Sequence, residues 1–290
     1  MRIAPDWVDY ELIDASCGER LERWGDTILI RPDPQIIWRT SKNNKLWKQA
    51  DAIYHRSSSG GGSWEYRTII PSEWEIRWND LLFYVSPTNF KHTGVFPEQA
   101  ANWKVYMSLI SNSKKPVRVL NLFGYTGLAT LACLKAGASV CHVDASKGMV
   151  GQAKKNAILS GLDTCPVRWI VDDCKKFIQR EFRRGKTYDA IIMDPPSYGR
   201  GPTGEIWKLE DDLYEFVSEC TKILTPDPLF IAINTYTTGV SSSAIGYLLH
   251  TFYNDNRFNI FSEEIGINVS STNTPIPCGN TTLLIKEDLN

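Results

Sequence analysis

From about Val117 to its end the chain predicts a doubly wound α/β domain with a mostly parallel sheet, and two observations carry that prediction. Strand-like and helix-like segments alternate there with short connections. One of them, Tyr188-Asp-Ala-Ile-Ile-Met193, is a short apolar run of the kind buried on both faces of a parallel sheet, and it stops at Asp194-Pro195-Pro196-Ser197-Tyr198. Two successive prolines lack amide donors and have a fixed φ, so they cannot prolong a ladder and must turn the backbone at the sheet's carboxyl edge.

Taken in order, residues 1–86 read as a small β-rich domain, with short strands at Thr27–Arg31, Glu75–Trp78 and Leu81–Val85. Trp38, Trp47, Trp64, Trp74 and Trp78 make this segment unusually aromatic. Either they fill the core of a domain poor in aliphatics, or they form a stacking platform for bases. The stretch Ser57-Ser-Ser-Gly-Gly-Gly-Ser63 reads as a flexible connection. Residues 87–290 form the second domain. Its strands are expected at Val117–Phe123, Ser139–Ala145, Val167–Val171, up to Asp194, and at Leu229–Ile233. Helices are expected at Leu128–Ala136, Lys147–Ser160, Lys175–Arg184, Leu209–Leu224 and Ser243–Asn254. Two further strands, around 260–267 and 282–286, have no helix between them and predict an antiparallel hairpin at one edge. The sum is a Rossmann-like, seven-stranded, mostly parallel sheet with an antiparallel last strand.

Ligands of such sheets bind at the carboxyl ends of the strands, and four successive ends here carry distinctive residues. The first runs into Asn121-Leu-Phe123-Gly124-Tyr125-Thr126-Gly127, where glycines let the backbone pass close to a ligand and the following helix start favours an anionic group. The spacing does not fit G-x-G-x-x-G, which lowers the case for a nicotinamide enzyme. Asp144, at the second end with Ala145 and Ser146 behind it, could accept both hydroxyls of a ribose. Asp173, with Cys174 behind it, could accept from an exocyclic adenine amine at the third. Either Asp could equally be a helix cap. Asp194-Pro195-Pro196, with Tyr198 behind, would present a carboxylate, prolyl carbonyls and a ring to a planar amine-bearing group, or would be an ordinary strand exit.

In that order the four ends suit an amino-acid-and-adenosine ligand followed by a methyl acceptor. At residues 90–290 the chain resembles the class I S-adenosylmethionine-dependent methyltransferases, and within them the bacterial large-subunit rRNA methyltransferase-like group. That group shares an Asn-x-Phe-x-Tyr-Thr-Gly motif, here Asn121, Phe123, Tyr125, Thr126 and Gly127, and an Asp-Pro-Pro-x-aromatic motif, here Asp194, Pro195, Pro196 and Tyr198. The resemblance implies S-adenosyl-L-methionine as cofactor, S-adenosyl-L-homocysteine as product and a base in RNA as substrate. It also implies that His92-Thr-Gly-Val-Phe96-Pro-Glu-Gln99 closes over the cofactor, with Phe96 packing on it and Gln99 bonding its polar end; alternatively this segment is a helix start with Pro-Glu in its first turn. Asn234-Thr-Tyr-Thr-Thr-Gly239 ends the fifth strand and could orient the substrate or be a capped turn.

Methyl transfer needs alignment and no metal. An amine acceptor would be held by Asp194 and the Pro195 carbonyl and stacked on Tyr198. Methylation at carbon 5 of cytosine would need a cysteine nucleophile. Position 197 is serine, and Cys278 is the late candidate, in an expected loop between the last strands. Lys42, Lys45, Lys48, Arg56, Lys91, Arg200 and Lys208 could touch RNA, but a formal net charge of −1 gives no global basic field. A methyltransferase of small molecules or protein side chains, and a non-catalytic cofactor- or RNA-binding assembly factor, fit the same residues. Seven scattered cysteines without C-x-x-C argue for a reducing compartment and against structural zinc. With no signal-like start and no apolar run of about 18 residues, a soluble cytoplasmic protein with no membrane contact is expected.

Overall fold

A computed structural model describes residues 1–57, 61–88, 91–200, 206–237 and 239–287, with only the backbone of Arg200. The middle of the 57–63 connection, the Arg200 side chain and Thr238 therefore lie outside the described residues. The chain divides into two compact units: Ile3–Ala100 with Gly266–Cys278, and Met1–Arg2 with Ala101–Ile265 and Gly279–Asn290. Compactness thus groups 87–100 and a late segment with the N-terminal residues, a grouping that composition along the chain does not display.

The chain opens with the two-residue strand β1 (Arg2–Ile3). In the N-terminal unit β2 (Tyr10–Ser16), β3 (Glu19–Trp24) and β4 (Thr27–Pro32) form an antiparallel meander. After a one-turn helix, α1 (Leu46–Gln49), β5 (Ala52–Arg56) pairs parallel to β4 and β6 (Gly62–Tyr66) antiparallel to β5. A separate hairpin joins β7 (Trp74–Trp78) to β8 (Leu81–Val85) through Asn79-Asp80; Asn79 has φ 48°, as a tight hairpin turn requires. Of the five tryptophans, Trp47 and Trp78 are buried in the core and Trp38, Trp64 and Trp74 are half-buried. Indole N–H groups of Trp38, Trp47, Trp64, Trp74 and Trp78 donate to Ala15 O, Asp14 Oδ2, Thr88 O, Trp24 O and Pro5 O, which ties each ring into its own unit.

The same unit buries charge. Glu22 is fully buried and receives Arg31 Nε and Nη2, the latter at 2.8 Å, and the Tyr10 hydroxyl at 2.9 Å, while Arg31 also lies over the Trp24 ring. Burial pushes the Glu22 carboxyl up, but Arg31 outweighs it and holds the group below its ordinary value.

In the second unit α2 (Ala100–Ser111) precedes a parallel core of β9 (Arg118–Leu122), β10 (Ser139–Asp144), β11 (Val167–Val171), β12 (Ala190–Met193) and β15 (Phe230–Thr235). The connecting helices are α3 (Leu128–Lys135), α4 (Lys147–Leu159), α5 (Cys174–Arg183) and α6 (Leu209–Thr221), and α7 (Ser242–His250) follows β15. Ser146, Asp173 and Ser241 cap α4, α5 and α7 with their side chains. The order is β11-β10-β9-β12-β15-β17-β16, where β16 (Phe258–Val269) and β17 (Thr274–Lys286) are the expected last pair and β17 runs antiparallel beside β15. Both strands are longer than their apolar segments suggest, so Cys278 lies inside β17 and not in a loop. The sequence reading also missed a small hairpin, β13 (Tyr198–Arg200) with β14 (Ile206–Lys208), directly behind the two prolines. The core is nearly all aliphatic and aromatic, from Leu120, Ile191 and Ile231 in the strands to Phe177 and Phe216 in the helices.

Arg31→Met leaves Glu22 buried without its counter-charge and is expected to cost about 3–5 kcal/mol in urea denaturation at pH 7. Because the folded Glu22 carboxyl titrates below the ordinary value of a glutamate, the unfolded chain binds the proton more readily. The pair's contribution is therefore present above that value and fades as the pH falls, so the gap between wild type and variant should narrow in acid.

Candidate functional site

The parallel register sets the strand ends level. Leu122 pairs with Val143 on one side and Met193 on the other, and Met193 pairs with Ile233. The next residues, Phe123, Asp144, Asp194 and Asn234, therefore stand side by side along the carboxyl edge. Strand order reverses between β9 and β12, the place where open α/β sheets leave a crevice. Asp144 and Asp194 end strands two spacings apart, roughly 10 Å.

The loop after β9 is held in an unusual backbone. Phe123 has φ 55° and Tyr125 φ 50°, a region that costs a residue with a Cβ roughly 1–2 kcal/mol. Asp144 fixes it: its Oδ2 accepts from the Tyr125 amide at 2.9 Å and its Oδ1 from the Ser146 amide at 2.8 Å. An ionised carboxylate has about four acceptor positions, so two remain for a pair of hydroxyls, and the residue fits the ribose role. The glycines also answer to contacts within the protein. A Cβ on Gly124 would lie 2.4 Å from His142 Cε1, and one on Gly127, where φ is 87°, would lie 2.7 Å from Ala153 Cβ. Packing within the protein demands both.

Several candidates turn inward. Asn121 is buried and donates to Thr130 Oγ1 at 2.9 Å, which in turn meets His142 Nδ1 at 3.0 Å. Burial depresses the His142 imidazole to about 3, so it is neutral. Thr126 is also buried, and its carbonyl accepts from the Asn156 amide. The Cys174 thiol lies in the core under the Phe123 amide, and burial raises it far above the range of a reactive thiol. Asp173 accepts from Lys176 N at 2.9 Å, so the helix-cap reading holds for its side chain, whereas α4 is capped by the Ser146 hydroxyl, which accepts from Met149 N, and not by Asp144. Ala145 is exposed beside them. Phe96 and Gln99 belong to the N-terminal unit. There Phe96 precedes the 3-10 turn Pro97–Gln99, which matches the expected helix start, and its ring lies 5.2 Å from that of His92. Burial, with Arg31 and Lys91, lowers the His92 imidazole to about 4.

At the fourth end Asp194 and the exposed Tyr198 flank Pro195 and Pro196. Ser197 is tied twice: its carbonyl accepts from Leu209 N at 3.1 Å, and its hydroxyl from Thr237 Oγ1 at 2.5 Å, which joins the β15 exit to the turn. Asn234 does not face the edge. It accepts from Asn102 at 3.0 Å and Thr281 at 2.9 Å in a buried network that also takes Arg2 through Asn102. Sequence reading missed Trp207, whose Nε1–H donates to Pro196 O at 2.6 Å; no motif contains it, and a lone tryptophan before a helix carries no signal.

Cys17 is an exposed thiol in the N-terminal unit, between β2 and β3, and the other six thiols are placed unfavourably for nucleophilic work. Cys133, Cys141, Cys174 and Cys220 are buried, burial lifting Cys141 to about 11, and Cys165 precedes β11 at the sheet's amino edge. Cys278 lies in the N-terminal unit at 3.3 Å from Arg20 Nη2, and burial pushes it up to about 12. Among the described residues no cluster of three His, Cys, Asp or Glu could hold a metal, and no helix is long and apolar enough to cross a membrane. Of the basic residues, Lys42 pairs with Glu19 over the Trp47 ring and Lys208 with Asp211. A shallow concavity lined by Tyr66, Ile69, Ile70 and Pro71 in the N-terminal unit contains none of the candidate residues.

Comparison with known proteins agrees with this arrangement. The Ribosomal RNA large subunit methyltransferase K/L of Shewanella frigidimarina is 30% identical over 154 residues, 52% of this chain and 21% of that protein. The corresponding K enzyme of Neisseria meningitidis is 28% identical over 158 residues, 54% and 44% respectively, so the chain spans less than half the length of these curated relatives. A crystal structure of a SAM-dependent methyltransferase from Agrobacterium tumefaciens superposes with a TM-score of 0.91 at 36% identity, covering 98% of this chain and 92% of that one. The family model for S-adenosylmethionine-dependent methyltransferases matches residues 36–246, more than half the chain, and the chain belongs to that family.

Proposed function

We propose that the protein transfers a methyl group from S-adenosylmethionine to a base in RNA, and that the acceptor is an exocyclic amine. The level placement of Asp144 and Asp194 across the switch point carries this reading: one carboxylate stands where a ribose would be gripped, the other where an acceptor would be presented. Bound there, S-adenosylmethionine would supply an electrophilic methyl carbon, from which an attacking nitrogen lone pair would displace S-adenosyl-L-homocysteine in line, the methylated ammonium then losing its extra proton to solvent. Asp144 would hold the ribose hydroxyls while the strained 123–127 loop and the residues after Asp173 line the rest of the ligand. Asp194 and the Pro195 carbonyl would accept the two N–H groups of the amine and turn its lone pair toward the methyl carbon. Tyr198 would stack on the base. Alignment of this kind can contribute about 7–11 kcal/mol to lowering the barrier.

An amine is favoured over carbon 5 of a pyrimidine because the latter needs a thiolate, and, Cys17 of the N-terminal unit aside, the thiols described above are buried, raised by burial or at the wrong edge. The RNA assignment rests on the named activity of the curated relatives, which are rRNA methyltransferases. Residues 87–290 are in this reading the methyltransferase domain and 1–86 an accessory domain.

The direct test is incubation with donor carrying a labelled methyl group and with separated RNA, protein and metabolite fractions of a cell. Label in RNA as an N-methyl base is expected; label confined to protein or metabolites would replace the substrate, and none anywhere, with cofactor bound, would mark an idle domain. Asp144→Ala should weaken cofactor binding by on the order of 1.5–3 kcal/mol in calorimetry, and unchanged affinity would remove Asp144 from the site. Asp194→Ala should abolish transfer while leaving cofactor affinity within about twofold, since it loses an interaction made with the acceptor. Cys278→Ser should transfer methyl at the wild-type rate, and an inactive, folded variant would restore the carbon-5 reading.

A further inference from the structure

Trp207 connects three parts of the second unit that the sequence keeps apart. Its indole N–H donates to Pro196 O at 2.6 Å, at the short end for such a bond. Its ring lies 5.9 Å from that of Phe123, at the start of the strained loop, and 5.5 Å, edge-on, from that of Phe216 in the core face of α6. Trp207 also backs Gly199, whose Cα would carry a Cβ 3.7 Å from the Trp207 Cβ. The other ties on this turn, from Leu209 N and Thr237 Oγ1, hold Ser197. Trp207 holds the turn one residue closer to Asp194.

We infer that Trp207 is a positioning residue for methyl transfer: it fixes the Asp194-Pro195-Pro196 turn against the cofactor-side loop, and so sets the separation between acceptor and donor. The inference rests on the reading of the site given above. Two physical consequences follow from the contact. With the Pro196 carbonyl engaged by the indole, the prolyl carbonyl assigned to the acceptor is that of Pro195, and together with Asp194 it makes two acceptors for the two N–H groups of a primary amine. Because the same ring packs on Phe123, the turn and the loop share one contact, and an in-line displacement tolerates little relative movement between them. Misplacement by about 1 Å can lower such a rate on the order of 100-fold.

Trp207→Phe separates the two contacts, since it keeps a ring against Phe123 and Phe216 and deletes the donor to Pro196 O. Three measurements decide. Hydrogen–deuterium exchange in the peptide spanning Ser197 and Tyr198 should be faster in the variant, with the 123–127 loop unchanged. Binding of S-adenosyl-L-homocysteine should stay within about twofold of wild type. Single-turnover transfer at saturating cofactor to an unmodified large-subunit rRNA transcript should fall roughly tenfold or more, with the transcript's Kd unchanged. Trp207→Ala should add a loss of cofactor affinity through Phe123.

Wild-type exchange in Trp207→Phe overturns the proposal, as does a defect that resides entirely in cofactor affinity. A wild type that binds no S-adenosyl-L-homocysteine would instead sink the reading of the site, and exchange at Ser197 and Tyr198 would still decide whether Trp207 anchors the turn.

Discussion

The carboxylate of Asp144 is the interaction on which the rest of the site depends. One oxygen holds the Tyr125 amide and the other the Ser146 amide, so a single side chain ties the loop after β9 to the start of α4. Two residues of that loop with positive φ would relax to ordinary conformations if nothing opposed them. Bonds from two amides to an ionised group are stronger than neutral ones, each contributing about 1.5–3 kcal/mol, which is of the size needed to offset the strain. The loop is therefore shaped before any ligand arrives, and the same carboxylate retains the acceptor positions a ribose would use.

Beneath this edge the second unit buries linked polar groups. Asn121, Thr130 and His142 Nδ1 are linked below the first loop, with His142 Nε2 buried and unpartnered, and Asn102, Asn234 and Thr281 are linked below the end of β15. A buried amide without a partner would cost on the order of 1–3 kcal/mol, so these sets admit few alternative packings. His142 has a steric part as well: its ring occupies the space a side chain at position 124 would need, and the glycine there answers to the imidazole. Residues that look like ligand contacts in the sequence thus form the rigid bed on which the contacts rest.

The opposite end of the crevice is held by an indole, a backbone amide and a hydroxyl. Pro195-Pro196 cannot pair as a strand, and the turn they force is caught by Trp207 from β14, by the first amide of α6 and by Thr237 from the β15 exit. The consecutive elements β14 and α6 and the more distant β15 exit converge on this turn. A turn held from several directions keeps Asp194 and the exposed Tyr198 ring in place without making either part of the core.

The amino-acid sequence by itself determined the alternation of strands and helices, the mostly parallel sheet, and the acidic and proline residues at its carboxyl edge, because periodicity, turn chemistry and apolar runs are local properties of the chain. Asp144 and the Asp194 turn were legible for that reason. Tertiary structure alone decided that Asn121, Thr126 and Cys174 turn inward, that Gly124 and Gly127 answer to His142 and Ala153, that Cys278 is buried within β17, and that Trp207 braces the turn. Each of these depends on contacts between residues far apart in the chain, and the direction and burial of a side chain are properties of its neighbours in space, which no local pattern encodes.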